Sequence, residues 1–218
     1  MGKKGQKIIY TDPASTPVVQ SKEIRWPQQV DQKHFPEYWE LTSKTNPLWY
    51  GSNHCTSEVL EDFYNALIRA NDTVRIIDKN FIQVNKKVNP ELIGPHLLFK
   101  AVKKSHFQNL KIITIEQKNS NGSVAKLMEK ELQKQRKPGG PRDKLTVKIL
   151  ALARNDLKHI HDRFAIVDQV LWHFGSDVGG KDPNLNAVSF GWDAQETGAI
   201  TFFENLWEEL IYRGRGVV

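Results

Sequence analysis

The sequence predicts an α/β fold, a mixed β-sheet sandwiched by helices. From Thr56 onward, short runs rich in Val and Ile alternate with longer stretches whose apolar residues recur at helical spacing. Breakers such as Gly94-Pro95, Pro138-Gly-Gly-Pro141 and Gly179-Gly180 fall between these stretches or interrupt them. No internal repeat or low-complexity tract is visible, so the 218 residues read as one compact domain preceded by an extension.

Each element has its own signal. Residues 1–22, with Lys3, Lys4 and Lys7 and the Asp12 to Pro17 segment, read as a flexible basic arm. Residues 23–53 carry Trp26, Phe35, Tyr38, Trp39, Trp49 and Tyr50 without a period, and are expected to form a packed N-terminal cover rather than a base-stacking platform. The α/β domain is placed at 54–218. Thr56 or Ser57 caps a predicted helix with Val59, Leu60, Phe63, Leu67 and Ile68 on one face, ending near Asn71. Thr73–Phe81 follows as a strand, then a helix over 89–104 interrupted at Gly94-Pro95. A strand over 110–116, a helix over 123–137 and a strand over 145–153 come next. Strands over 162–168 and 170–174 precede a loop, a strand over 187–190, and a closing helix from Thr197 or Gly198 to Tyr212.

Composition narrows the function class. The net charge of +6, from 31 Lys and Arg against 25 Asp and Glu, favours a polyanionic partner. Lys134, Arg136, Lys137, Arg142 and Lys144 cluster around a Pro-Gly loop and are candidate nucleic-acid contacts, although Glu129 and Glu131 would also suit a solvated helix. The single Cys55 excludes an internal disulfide framework and fits a reducing compartment. No apolar run reaches membrane-spanning length and the start has no hydrophobic signal core, so a cytoplasmic protein without integral membrane contact is expected.

Chemistry concentrates at His161-Asp-Arg163-Phe-Ala-Ile-Val-Asp168, followed by Gly175-Ser176. In an extended segment His161 and Arg163 point to one face. An imidazole beside a permanent cation suits attack on a phosphodiester, because the guanidinium can hold two nonbridging oxygens while the imidazole attacks phosphorus. Asp168 could hold the imidazole or the arginine, and Gly175-Ser176 could offer a backbone N–H and a hydroxyl to phosphate. A lone histidine beside a strand is ordinarily structural, and the four-part spacing is what singles out His161. His159 lies nearby, but no second cluster at ligand spacing supports zinc, so neither a metal nor a cofactor is expected.

The spacing His161-x-Arg163-x4-Asp168-x6-Gly175-Ser176 resembles the phospholipase D superfamily signature, His-x-Lys-x4-Asp-x6-Gly-Ser. The resemblance covers about residues 54–213 and implies a phospholipase D-like sheet with one motif per chain. Two positions depart: Arg163 stands where the family has lysine, and Gly179 where many members have asparagine. The family implies a metal-independent reaction with two histidines, one forming a phosphohistidine and the other protonating the leaving oxygen. With a single motif in this chain, it further implies a homodimer with a shared site. On this reading His161, Arg163, Asp168 and Ser176 are catalytic, and Arg163, Gly175 and Ser176 bind phosphate. Asp78, Asn186, Asp193 and Glu196 are possible supporting residues, the last two by orienting a histidine across the dimer.

The resulting expectation is a phosphodiesterase acting on DNA or RNA. The alternative is a catalytically inactive module that binds nucleic-acid or phospholipid phosphates. A phospholipase ranks last, since no broad interfacial apolar segment is evident. No specificity domain is recognisable, and a separately encoded targeting or ATPase subunit is a possible partner.

Overall fold

A computed structural model describes residues 22–25, 54–82, 93–116, 123–136, 144–175, 177–178 and 188–215. Among these, seven strands form one mixed sheet in the order β1-β7-β6-β5-β2-β3-β4. The strands are β1 (Glu23–Arg25), β2 (Thr73–Ile77), β3 (Asn109–Ile115), β4 (Thr146–Leu152), β5 (Arg163–Val167), β6 (Val170–Phe174) and β7 (Val188–Asp193). The helices are α1 (His54–Arg69), α2 (Ile93–Val102), α3 (Ser123–Lys134) and α4 (Ala199–Arg215). β2, β3 and β4 run parallel, and every other neighbouring pair is antiparallel.

The parallel strands require crossovers, and α2 and α3 supply them. β2 and β3 read as near-continuous apolar runs because helices cover both faces of the sheet. On one face, α1 contributes Phe63, Ala66 and Leu67, and α3 contributes Ala125, Met128 and Leu132, at helical spacing. Phe63 meets Trp172 edge-on at 5.3 Å and Phe174 at 5.1 Å, while Trp172 stacks on Phe190 at 4.3 Å. Fully burying such rings stabilises by roughly 2–3 kcal/mol each. On the other face, Phe203, Trp207 and Leu210 of α4 cover Ile77, Ile113, Phe164 and Ile166.

A charged clip seats α4. Glu204 accepts from Arg75 Nε at 2.7 Å and from Lys111 Nζ at 2.6 Å, two cations that are side by side in the β2–β3 register. Burial alone would raise the Glu204 pKa, but these two partners hold its carboxyl below the usual glutamate value. Lys111 Nζ also sits 5.4 Å from the Trp207 ring centre. At the opposite side of the sheet, Glu129 of α3 accepts the Ile149 N–H of the edge strand β4.

Several boundaries differ from those the sequence suggested. The first helix begins at His54, ahead of Thr56, so neither Thr56 nor Ser57 is its cap. The strand expected to reach Phe81 ends at Ile77, and 78–82 turn away. α2 runs unbroken through Gly94-Pro95, which stand in its first turn, where a missing N–H loses no intrahelical bond. β7 extends to Asp193, with Gly191 at φ 94° forming a bulge that shifts the pairing between Leu171 and Trp172. β1 lies inside the segment read as a periodless cover, where it pairs with β7. The basic arm over 1–21 and the remaining cover over 26–53 lie outside the described residues. No helix among those described is long and apolar enough to cross a membrane.

Candidate active site

The chemistry-bearing residues collect at one end of the sheet, where the carboxyl ends of β2, β3 and β4 meet the start of β5 and the end of β6. In open α/β sheets, ligands bind at such strand ends. The loop from β4 to β5 reaches this rim through Arg154, turns over 154–159, and is anchored by Leu157, which is fully buried against the α4 face. It delivers His161 to solvent. The His161 side chain is exposed and makes no hydrogen bond or ion pair among the described residues.

Arg163 opens β5. The register Ile77↔Phe164 places Asp78, the residue after β2, across from Arg163 in this antiparallel pair. The Arg163 Nε lies 3.5 Å from Asp78 Oδ1 and 3.4 Å from Asp177 Oδ1, and is buried without a well-aligned hydrogen bond. Asp78 is fully buried. Its Oδ1 accepts the Asn80 N–H and its Oδ2 the Val178 N–H, both at 2.8 Å. Asn80 Nδ2 donates to Asp177 Oδ1 at 3.0 Å, closing the group.

Electrostatics at this cluster are finely opposed. Burial first, and the nearby Asp177 carboxylate second, push the Asp78 pKa up to about 7, outweighing the two backbone donors and Arg163. Next to it, Lys79 is held below the usual lysine value by burial and by the charges of Arg163 and Arg154. Lys79 is fixed at the main chain, since its carbonyl accepts from the Ile115 N–H at 3.2 Å and from Thr114 Oγ1 at 3.3 Å. The charges of Arg163 and Arg154 therefore both reach Lys79 at this rim.

Other candidates fall elsewhere. Asp168 sits beyond the far end of β5, and its carboxylate accepts the N–H groups of Asn71, Asp72 and Thr73 at 3.0, 2.9 and 3.1 Å. It cannot also hold His161 or Arg163, because the length of β5 separates them. Its own N–H donates to Thr73 O at 2.8 Å, and its φ of 55° is one that aspartate tolerates better than most residues. The motif aspartate is thus a clip between the β5–β6 turn and the α1–β2 loop. Asp193 and Glu196 are also at this far end. Asp193 pairs with Val170 and spends its carboxylate on the Gln195 and Glu196 N–H groups at 2.7 and 2.8 Å, shaping the turn into α4.

Among the basic residues over 134–144, Arg136 is not free for nucleic acid. Its Nη2 donates to Phe107 O at 2.9 Å and its guanidinium lies 5.6 Å from the Phe107 ring centre. Lys134 pairs with Glu131 at 2.6 Å on the helix surface, and Lys144 is exposed. Ser176, Asn186, Lys137 and Arg142 lie outside the described residues, while Gly175 is exposed at the end of β6. Sequence reading missed Asp177, Lys79 and Arg154. The available signals were that Asp177 follows the Gly175-Ser176 pair and that Lys79 follows the strand-end Asp78. Among the described residues, no three His, Cys, Asp or Glu side chains group so as to hold a metal ion.

No family model and no curated protein matches this chain. Similar solved structures include TrmBL2, an archaeal chromatin protein described with a novel mode of DNA binding, at 13% identity and a TM-score of 0.45. That alignment covers 90% of this chain and 56% of TrmBL2, so this chain spans little more than half of its length. NucT from Helicobacter pylori is 12% identical with a TM-score of 0.43, over 72% of this chain and 92% of NucT.

Proposed function

We propose that this protein is a metal-independent phosphodiesterase of phospholipase D-like type that acts on DNA or RNA. The observation that carries the reading is the rim at the strand ends, where the charges of Arg163 and Arg154 bear on Lys79 and the exposed His161 stands two residues before Arg163. A lysine that feels two neighbouring arginine charges is relieved when an anion binds beside it. His161 is the nucleophile: its neutral nitrogen attacks phosphorus, the P–O bond to the leaving alcohol breaks, and a phosphohistidine forms. Water then hydrolyses that bond and frees the imidazole. Arg163 binds the nonbridging oxygens, with Gly175 and Ser176 as further phosphate contacts.

The leaving alkoxide needs a proton, and a second His161 from another copy of the chain supplies it. The single His161 motif in this chain supports a site completed by a homodimer. The same observation favours the second reading, a noncatalytic module that binds nucleic-acid or phospholipid phosphates. Asp168 drops out of the chemistry, and Asp78 enters as a support for Arg163.

Cleavage of single- and double-stranded DNA and RNA in EDTA tests the proposal. Activity that survives the chelator and disappears with His161→Ala supports it. No cleavage of any substrate, together with oligonucleotide binding that weakens on Arg163→Ala, would replace it with the noncatalytic module. Binding to anionic vesicles but not to oligonucleotides would identify phospholipid as that module's ligand.

A further inference from the structure

We infer that Asp177 is a positioning residue of the phosphate site, drawing Arg163 by charge toward its Nε side jointly with Asp78, without a hydrogen bond from Nε, so that the terminal nitrogens are presented to phosphate. The inference rests on the phosphodiester reading above and adds a residue and a role to it. Both carboxylates approach the guanidinium nearest at Nε, at 3.4 and 3.5 Å. Neither Nη makes a hydrogen bond among the described residues, and Nε is the only Arg163 atom that is both buried and without one.

The two carboxylates are themselves held. Asp78 is fixed by two backbone N–H groups, and Asp177 by the side-chain amide of Asn80, whose own N–H reaches Asp78. The chain thus places a rigid acidic cradle under a cation that is expected to bind an anion. Simple electrostatics makes such an arrangement costly, because the Asp177 carboxylate, and Asp78 wherever it is ionised, repel the ligand. It becomes useful if orientation matters more than field: a guanidinium is a planar fork, and its phosphate-binding edge works only when aimed. A lysine has no second edge to grip. The cradle accordingly gives a structural account of why arginine stands at position 163, and it implies that Arg163→Lys would weaken the site.

The two physical effects predict opposite signs, which makes the test sharp. If field dominates, Asp177→Asn removes a negative charge and tightens anion binding. If positioning dominates, it weakens binding. The Asp177 side chain is 40% exposed, so the isosteric amide leaves the fold in place.

The experiment measures binding of a fluorescein-labelled oligodeoxynucleotide at fixed salt, and melting temperature, for wild type, Arg163→Ala, Asp177→Asn, Arg163→Lys and the Asp177→Asn/Arg163→Lys pair. The expected result is binding weakened roughly tenfold by Asp177→Asn in the wild-type background, about the value of one well-aimed charged contact. No further loss is expected when Asp177→Asn is added to Arg163→Lys, and the melting temperature should hold. Tighter or unchanged binding by Asp177→Asn, an equal loss in both backgrounds, or a collapsed melting temperature would overturn the inference. Should Arg163→Ala bind as well as wild type, the phosphate reading itself falls and takes the inference with it. A loss with Arg163→Ala but none with Asp177→Asn refutes positioning alone.

Discussion

Replacing Asp168 with alanine should destabilise the protein by about 3 kcal/mol while leaving the chemistry of the folded molecule intact. Three backbone N–H groups converge on its carboxylate, those of Asn71, Asp72 and Thr73. A hydrogen bond to a charged group contributes roughly 1.5–3 kcal/mol net. Asn71 and Asp72 are exposed and can rehydrate, so their share is small, whereas Thr73 is buried and its N–H would be orphaned. Alanine adds about 1 kcal/mol of backbone strain, because φ at this position is 55°. For a chain of this size, about 3 kcal/mol lowers the melting temperature by roughly 6–12 °C. Asp168→Asn keeps one acceptor and the tolerance for positive φ, and should lose about half as much. Thermal and urea unfolding of the three proteins measure this. An alanine variant within 1 kcal/mol of wild type, or an asparagine variant as damaged as the alanine one, would refute the clip. A fully folded Asp168→Ala without oligonucleotide cleavage, beside an active wild type, would return this residue to the active site.

Three further outcomes follow from the same geometry. Because the Asp78 pKa is raised to about 7 in the fold, the native state holds a proton that the unfolded chain releases near pH 4. Stability should therefore decline from about pH 4 to about pH 7, with a slope of at most ~1.4 kcal/mol per pH unit, and level off above. Glu204, whose pKa is lowered, contributes the opposite slope only around and below its ordinary value of 4.5, so urea midpoints between about pH 6 and pH 8 follow Asp78 rather than Glu204. Asp78→Asn should flatten the decline, and an unchanged slope would contradict the assignment. Arg136→Ala should cost about 1–2 kcal/mol through the lost bond to Phe107 O without altering oligonucleotide affinity. Arg154→Ala should do the reverse, weakening binding and reducing its salt dependence with no measurable change in urea midpoint.

The order of strands and helices was legible in the sequence because each element buries a face, and burial writes its period into the chain. Phe63 and Leu67 on α1, or Phe203, Trp207 and Leu210 on α4, announce helices that have a core to cover. Placement of the motif was legible in part. The spacing of His161 and Arg163 locates one strand end, and it holds that position in the sheet. The role of Asp168 was not legible, because a motif spacing along β5 says that a carboxylate closes the strand and not which groups it meets. Those groups come from the α1–β2 loop, about 95 residues earlier. Asp177 was missed for the same reason: its partners Asn80 and Arg163 become neighbours only through the order β6-β5-β2. Arg136 looked like part of a basic surface because its tether, Phe107, lies 29 residues earlier, in the connection between α2 and β3.

The carboxylate of Glu129 has a bearing on how copies of this chain can meet. β4 closes one side of the sheet, and an uncovered outermost strand invites another chain to continue the ladder. Here the outward amide of Ile149, at the middle of that strand, is already spoken for. An incoming strand would have to evict a charged acceptor from its donor and would face the exposed ammonium groups of Lys144 and Lys148 as well. Extension of the sheet past β4 is therefore opposed, and a second copy that added a strand to this ladder would have to do so at the other edge, beside β1.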